Sequence, residues 1–248
     1  MATSKHRSLI LLALSASLLS FQAFAGVVIT GTRVIYPSAQ KEVTVKMNND
    51  GSRPVLMQAW VDSGNPKTKP SESRAPFVLS PPVARIDPGK GQSLRMMFTG
   101  ASPLAADKES IFWLNVLEIP PTPENVKDKN LLHMAFRTRI KVFYRPSGLQ
   151  GAPSQAISQL QWQVVPEGKG YALQAYNPSA YHVSLANAAL VVGGQRHAGS
   201  EVDMVGPGQT RQFALPSLDA RPVSGARVEY SAINDYGAHV QEFKPLEG

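Results

Sequence analysis

The 248-residue sequence predicts an all-β protein made of two sandwich-like domains. Apolar residues recur with a period of two along the chain, as expected for half-buried strands. No segment of similar length keeps a helical period over three turns. The 19 glycines and 20 prolines also favour short strands and turns over long helices. A composition that is 43% hydrophobic and 17% charged supplies a core, which excludes wholesale disorder.

The first 25 residues are a predicted secretory leader and are set aside from the fold. Residues 5–7 are basic, residues 8–21 are almost wholly apolar or small, and Ala23 and Ala25 provide the small-x-small pattern that signal peptidase needs. A transmembrane anchor is the alternative, but this apolar stretch is short for a bilayer and no second span follows. We therefore expect cleavage after Ala25, which gives an exported protein that begins at Gly26.

The first half of the mature chain carries several strand-like segments. Alternating apolar residues begin at Val43, Val55 and Leu94, and turn-forming residues follow the first of these segments at 48–51. Residues 111–117 are apolar on both faces, as expected for a central strand that is buried on both sides. Together these segments predict a sandwich of immunoglobulin size, about 100 residues.

A change in composition at residues 147–153 predicts a linker. The first domain then covers residues 26–146 and the second covers residues 154–248. Strand-like segments resume beyond the linker, with turn residues such as Asn177 and Pro178 between several of them. This pattern predicts a second, smaller β-sandwich.

The sequence excludes thiol chemistry and contains no recognisable catalytic motif. Because there is no cysteine, disulfides, thiolate metal sites and cysteine nucleophiles are ruled out. None of the five histidines has metal-ligand spacing, and neither a nucleophile elbow nor a phosphate-binding Gly loop is present. Positive net charge can attract nucleic acid, but the charges are scattered and the protein is exported. We predict a non-enzyme that needs no cofactor and no metal and binds no nucleic acid.

The segment 131–146, LLHMAFRTRIKVFYRP, is the most informative one. One face carries Leu132, Met134 and Phe136, whereas the alternate positions include Arg137 and Arg139. The segment is either a half-buried core strand with its polar face in water or an edge strand that offers apolar side chains to another chain. A long apolar edge would promote aggregation unless a partner covered it. The sequence leaves both interpretations open.

Short segments spread over nearly the whole mature chain carry a family resemblance. They are TRVIYP (32–37), QAWV (58–61), SPPVARIDPG (80–89), DKESIFWLNV (107–116), EIPP (118–121), RIKVFYRP (139–146), YNPS (176–179) and INDYG (233–237). On these segments the chain resembles the periplasmic chaperones of the chaperone–usher pathway, which assemble pili and fimbriae in Gram-negative bacteria. The resemblance implies two immunoglobulin-like β-sandwich domains in a boomerang arrangement.

The resemblance also implies a subunit-binding site. Leu132, Met134 and Phe136 match the donor strand, which the family adds to a pilus subunit that lacks its own last strand. Arg33 and Lys141 match the pair of cations that grip the carboxylate at the C-terminus of the subunit. Without the flanking motifs, either cation would be interpreted as a solvated surface residue.

Three further residues match a charged network that bridges the two domains in the family: Glu109, Arg145 and Asp235. Arg145 suits bidentate pairing with a carboxylate, although each of the three could also be an exposed charge of little energetic weight. The short connection from Pro120 to Asn130 and the lack of cysteine resemble the short-loop class of the family.

The resemblance therefore implies a periplasmic chaperone that caps pilus subunits and delivers them to an outer-membrane usher. Its expected partners are the subunits and the usher, with no direct membrane insertion, and self-association of the free protein stays open. One alternative is a fimbrial subunit or adhesin, which would need a single incomplete sandwich with an N-terminal donor arm. Another is a secreted carbohydrate-active enzyme, which would need a convergent carboxylate pair or a metal cluster.

Overall fold

The computed structural model describes residues 26–121, 134–218, 220 and 225–246. This part of the chain contains two β-sandwiches, each with its own buried core, which confirms the predicted all-β, two-domain fold class. The predicted leader and Leu132 lie outside the described residues. Within the ranges just given, no helix is both long and apolar enough to cross a bilayer.

The first sandwich consists of one four-stranded and one five-stranded sheet. Its strands are β1 (Val27–Ile29), β2 (Arg33–Pro37), β3 (Val43–Asn49), β4 (Val55–Asp62), β5 (Phe77–Ser80), β6 (Val83–Ile86), β7 (Gly91–Phe98), β8 (Ser110–Ile119) and β9 (Phe136–Arg145). The strand orders are β1-β3-β7-β5 and β2-β9-β8-β4-β6. A single 3₁₀ turn, Pro70–Glu72, lies in the connection between β4 and β5.

β8 is the central strand of the five-stranded sheet. It pairs with β4 on one side and β9 on the other. Because Leu114, Asn115 and Val116 follow one another and are all buried, both faces of the strand are covered. The prediction of a central strand at 111–117 is therefore confirmed, but its burial on both faces holds only at 114–116, because Ile111, Trp113 and Leu117 are half-buried.

The second sandwich is smaller and contains seven strands in the described part of the chain. They are β10 (Gln161–Glu167), β11 (Gly170–Tyr176), β12 (Ser184–Val192), β13 (Gln195–Ala198), β14 (Thr210–Ala214), β15 (Arg227–Ile233) and β16 (His239–Pro245). The strand orders are β10-β11-β14 and β13-β12-β15-β16. Side chains such as Leu173, Leu190 and Val228 fill the core between these two sheets.

A short helix that the sequence analysis did not predict precedes the second sandwich. This helix, α1 (Pro153–Gln159), begins with a proline, whose fixed φ and missing N–H suit the first turn. Its buried face carries Ala156 and Ile157, and the Ile157 carbonyl accepts a hydrogen bond of 2.8 Å from the Tyr230 hydroxyl. Leu149, inside the predicted linker, packs against the same core. The proposed domain boundaries themselves stay predictions.

β9 covers residues 136–145 of the segment 131–146, and it is a core strand in one half and an open edge in the other. From Lys141 to Tyr144 it lies between β8 and β2, and Val142 is fully buried in the core. Among the described residues, the part from Phe136 to Ile140 pairs only with β8. The face that is core at Val142 is therefore open at Phe136, whose side chain is 61% exposed.

Candidate functional site

Arg33 and Lys141 are direct neighbours on two adjacent strands. β2 runs parallel to β9, and Arg33 pairs with Lys141 in the register. Paired residues on neighbouring strands share a face and lie about 5 Å apart. Val34 and Val142, the next pair, point into the first core, so the two cations project from the opposite face of the sheet.

That opposite face meets the second domain. The Arg33 Nη1 donates a hydrogen bond of 2.8 Å to the carbonyl of Ile233 at the end of β15. Lys141 Nζ lies 3.4 Å from Oδ1 of Asp203, which is mostly exposed on a loop of the second domain. Both cations therefore lie in the cleft between the domains.

The positive charge of the Arg33 guanidinium is only partly balanced by its surroundings. It lies 5.8 Å above the ring of Phe143, and its buried Nε has no hydrogen-bond partner among the described residues. Burial lowers the pKa of Arg33, and the more distant charge of Asp235 offsets this only in part. A partly desolvated cation whose charge is only partly balanced favours the binding of an anion, because charge-assisted hydrogen bonds are the strong ones.

Glu109, Arg145 and Asp235 form one continuous ion network. The Arg145 Nε donates to Glu109 at 2.6 Å, while Nη1 and Nη2 donate to the two oxygens of Asp235 at 2.7 and 3.0 Å. Burial alone would lower the pKa of Arg145, but the hydrogen bonds and charges of these two carboxylates raise it above its ordinary value. Since Asp235 lies in the turn between β15 and β16, the network connects the two domains.

His182 extends this network, although the sequence analysis did not single it out. Its backbone N–H donates to Glu109 Oε2 at 2.8 Å, and its Nδ1 lies 3.3 Å from the same oxygen. The Glu109 N–H donates to the Ala180 carbonyl at 2.9 Å. No spacing pattern marks His182, because its partner lies 73 residues earlier in the chain. Glu109 is thus enclosed by both domains.

A cavity of about 230 Å³ lies beside these charges. Arg33, Phe143 and Arg145 line it from the first domain, and Ile157 of α1 and Tyr236 line it from the second. Glu109 and Asp235 line it too, but both carboxylates are bound to Arg145, so the partly balanced charge of Arg33 is left to attract a small carboxylate-bearing group.

Phe136 begins β9 at its open end, and Met134 lies two residues before the strand. Their side chains are 54% and 61% exposed, and both line a second cavity of about 530 Å³. Lys141 is five residues beyond Phe136, which is about 17 Å along an extended strand. The strand therefore joins an apolar surface to the paired cations.

Arg139 does not belong to this cation pair. Its Nε and Nη2 donate to the two oxygens of Asp62 at 2.9 and 2.6 Å, and its guanidinium lies 4.6 Å from the ring centroid of Trp113. Burial would raise the pKa of Asp62, but the hydrogen bonds from Arg139, Asn115 and Gly64 outweigh it, so the pKa lies below its usual value. This part of the basic face is a structural ion pair, not a row of solvated charges.

Fold and site together define a two-domain binding protein whose open strand leads to a cationic cleft. A family model described as "Pili and flagellar-assembly chaperone, PapD N-terminal domain" matches residues 26–150. A second, "Pili assembly chaperone PapD, C-terminal domain", matches residues 155–244. The chain therefore belongs to the pilus assembly chaperones, and it is a fimbrial or pilus chaperone of the chaperone–usher type.

Curated relatives agree with this assignment over most of their length. The chain is 42% identical over 225 residues to the probable fimbrial chaperone YadV of Escherichia coli K12, with 90% of each sequence covered. It is 44% identical over 219 residues to the chaperone protein FimB/FhaD of Bordetella pertussis, which covers 87% of this chain and 86% of the relative. Members of this family are not enzymes, which confirms the prediction of a non-enzymatic protein.

Solved structures of related chaperones share the architecture. The YadV crystal structure has a TM-score of 0.78 at 40% identity and covers 90% of this chain and all of the relative. The Salmonella enterica SafB chaperone, solved in complex with the SafA pilin, has a TM-score of 0.73 at 26% identity. The latter match covers 92% of this chain and 99% of SafB. The interpretations as a fimbrial subunit or a carbohydrate-active enzyme are set aside.

Proposed function

We propose that this chaperone acts in the periplasm, caps pilus subunits by donor-strand complementation and delivers them to an outer-membrane usher. The observation that carries the proposal is β9, whose open apolar half leads to two cations that face each other on β9 and its neighbour β2. SafB, a structural relative, was solved together with the SafA pilin. The predicted leader accounts for export to the compartment where subunits would be met.

The open part of β9 supplies the added strand. Its backbone from Phe136 to Ile140 has a free edge within the described part of the chain, so an incoming subunit strand can pair with it. Met134 and Phe136 then enter the groove of the subunit, together with Leu132, which lies outside the described residues. Each buried side chain contributes about 1.5–3 kcal/mol, which makes this face the main source of affinity.

The cation pair fixes the register of that added strand. The carboxylate at the C-terminus of the subunit accepts hydrogen bonds from Arg33 and Lys141, each worth about 1.5–3 kcal/mol. Arg33 lines the cavity as a cation whose charge is only partly balanced, and Lys141 leaves its weak, exposed contact with Asp203. Because a one-residue slip turns every side chain to the wrong face, an end anchor specifies which subunit residues meet Phe136.

The ion network has a structural role in this mechanism. Glu109 and Asp235 hold Arg145 from opposite domains, and this sets the angle at which the cleft presents Arg33. The network makes no contact with the subunit in this proposal. Loss of the network would alter the geometry of the cleft, whereas the exposed side chains of Met134 and Phe136 would stay in place.

Co-purification of the tagged protein with candidate subunits from the periplasm tests the proposal. The wild type is compared with Arg33→Ala and Lys141→Ala, and with Arg211→Ala and Lys46→Ala as controls, since these two residues are exposed on strands outside the site. We expect a one-to-one complex that both site variants abolish and both control variants retain. A complex that survives the site variants would disprove the carboxylate anchor, and no binding by the wild type would overturn the assignment of the partner.

A further inference from the structure

Glu118 is a carboxylate at the end of an apolar row. On β8, Phe112, Leu114 and Val116 point into the first core, and Glu118 continues the same face. Its partners across the sheet are Met57 on β4 and Phe136 on β9. A half-buried charge at the edge of a core is unfavourable unless polar groups satisfy it.

The beginning of β1 provides one of those polar groups. The Val27 N–H donates a hydrogen bond of 2.9 Å to Glu118 Oε2. The preceding carbonyl, that of Gly26, accepts a hydrogen bond of 3.0 Å from the Asp50 N–H. The peptide unit that follows Gly26 is therefore held at both its carbonyl and its N–H, next to the Glu118 side chain.

Gly26 also lies in direct contact with the carboxylate. A Cβ atom added to Gly26 would fall on the Glu118 carboxylate, so the Cα of Gly26 packs against it without a side chain between them. Across the part of the chain that the structure describes, no lysine or arginine pairs with Glu118, and its Oε1 has no hydrogen-bond donor. The carboxylate therefore has one backbone donor and room for a cation.

We propose that Glu118 is the binding site for the α-ammonium group that leader removal creates on Gly26. Hydrolysis of the peptide bond between Ala25 and Gly26 by signal peptidase consumes one water, leaves a carboxylate on the leader and leaves an ammonium on Gly26. That nitrogen is about 1.5 Å from the Gly26 Cα, hence beside Glu118. The inference rests on the proposed cleavage after Ala25.

The pair would complete one wall of the cavity beside the proposed donor residues. Gly26, Glu118, Met134 and Phe136 all line the same 530 Å³ cavity. An uncleaved chain has a neutral amide at Gly26, which brings no charge to Glu118. Processing then ties β1 to β8 by an ion pair and fixes the edge of the sandwich next to Phe136.

Other charged groups near this site are few among the described residues. Arg53 lines the same cavity and is the alternative counter-ion for Glu118. Asp50, in the turn after β3, meets Gly26 through its backbone N–H, and its exposed carboxylate would act in the same sense as Glu118 on a nearby ammonium. Variants at Arg53 and Asp50 therefore distinguish a specific pair between Glu118 and the ammonium from the summed electrostatic effect of the nearby charges.

The decisive experiment is an NMR titration of the exported protein labelled with ¹⁵N-glycine, after intact-mass analysis of its first residue. In the wild type we expect the α-amino pKa of Gly26 to lie clearly above the ordinary range of about 7.7–8.0. Glu118→Gln should return it to that range, whereas Arg53→Gln and Asp50→Asn should leave most of the elevation. Since folding raises the pKa of the amine, the contribution of this pair to the free energy of unfolding is fully present at a pH below the ordinary pKa. It is lost as the pH rises through the pKa of the folded state.

Two results would overturn the inference without touching the chaperone function, which co-purification with subunits reports separately. The first is a mature chain that begins at a residue other than Gly26. The second is an ordinary α-amino pKa that Glu118→Gln does not change. If Glu118→Gln does not fold, a chain extended by one alanine before Gly26 and labelled with ¹⁵N-alanine moves the ammonium and keeps Glu118. An unchanged α-amino pKa in that chain would equally contradict the pair.

Discussion

Replacement of Phe136 by alanine tests the donor strand most directly. The side chain is 61% exposed in the free protein, and a phenylalanine buries about 150–250 Å² when fully enclosed. Phenylalanine lies in the lower half of that range, so a subunit groove would cover about 90–120 Å² more, which is worth about 2–3 kcal/mol at 25 cal/mol per Å². We expect Phe136→Ala to weaken subunit binding about 30- to 140-fold.

A matched control exists on the second domain. Phe243 is 60% exposed and lies on β16, the edge strand of its sheet. Both alanine substitutions remove the same side chain from an equally exposed strand position, so they should lower the free energy of unfolding by similar amounts. Only Phe136→Ala should weaken binding, because Phe243 is not on β9.

Titration of the chaperone into a subunit that refolds from urea, with the complex quantified by size-exclusion chromatography, measures this difference. Equal affinities for Phe136→Ala and the wild type would refute the proposal that this side chain enters the subunit. Equal weakening by Phe243→Ala would refute the position of the binding surface. Urea unfolding of each variant alone checks that the fold is intact.

Three further predictions concern the charged groups. Asp203→Asn should tighten subunit binding up to about fivefold at low salt, since the neutral side chain no longer competes for Lys141; an exposed pair is worth at most about 1 kcal/mol. Asp62→Asn should lower the urea midpoint at neutral pH and make that midpoint fall less steeply as the solution is acidified. The reason is that the lowered pKa of Asp62 stabilises the fold above about pH 3.9, and this contribution is lost as the pH falls through the pKa of the folded state. Arg145→Ala should lower the free energy of unfolding by about 3–5 kcal/mol, measured by urea titration, since Glu109 is left as an unpaired buried charge.

Each of these has a result that contradicts it. For Asp203→Asn, it is a gain in affinity that persists at high salt, where an exposed ion pair is screened. For Asp62→Asn, it is a urea midpoint that falls with decreasing pH as steeply as that of the wild type. For Arg145→Ala, it is a loss no larger than that of Arg227→Ala, which removes an exposed arginine paired with Glu229 on the same strand.

The strands and the candidate residues could be predicted from the sequence because their signals are local. The alternation around Val43, Val55 and Leu94 depends only on which face of a strand is buried, and the period of two survives in any sandwich. The helix α1 was not predicted, because its two turns are too short for a helical period to stand out. Arg33 and Lys141 were found through the flanking motifs, since nothing in the pattern of charges alone distinguishes them from other cations.

By itself, the sequence determined the fold class, the division into two domains and the segment of β9 that carries both apolar residues and a cation. Only the tertiary structure decided where that strand is an edge: β2 pairs with it from Lys141 onward and leaves Phe136 open. It also decided that Arg139 is neutralised by Asp62 whereas Arg33 keeps an unused donor. The physical reason is that periodicity reports burial along one strand, whereas pairing depends on residues far apart in the chain, such as Arg33 and Ile233, that meet only after the domains dock.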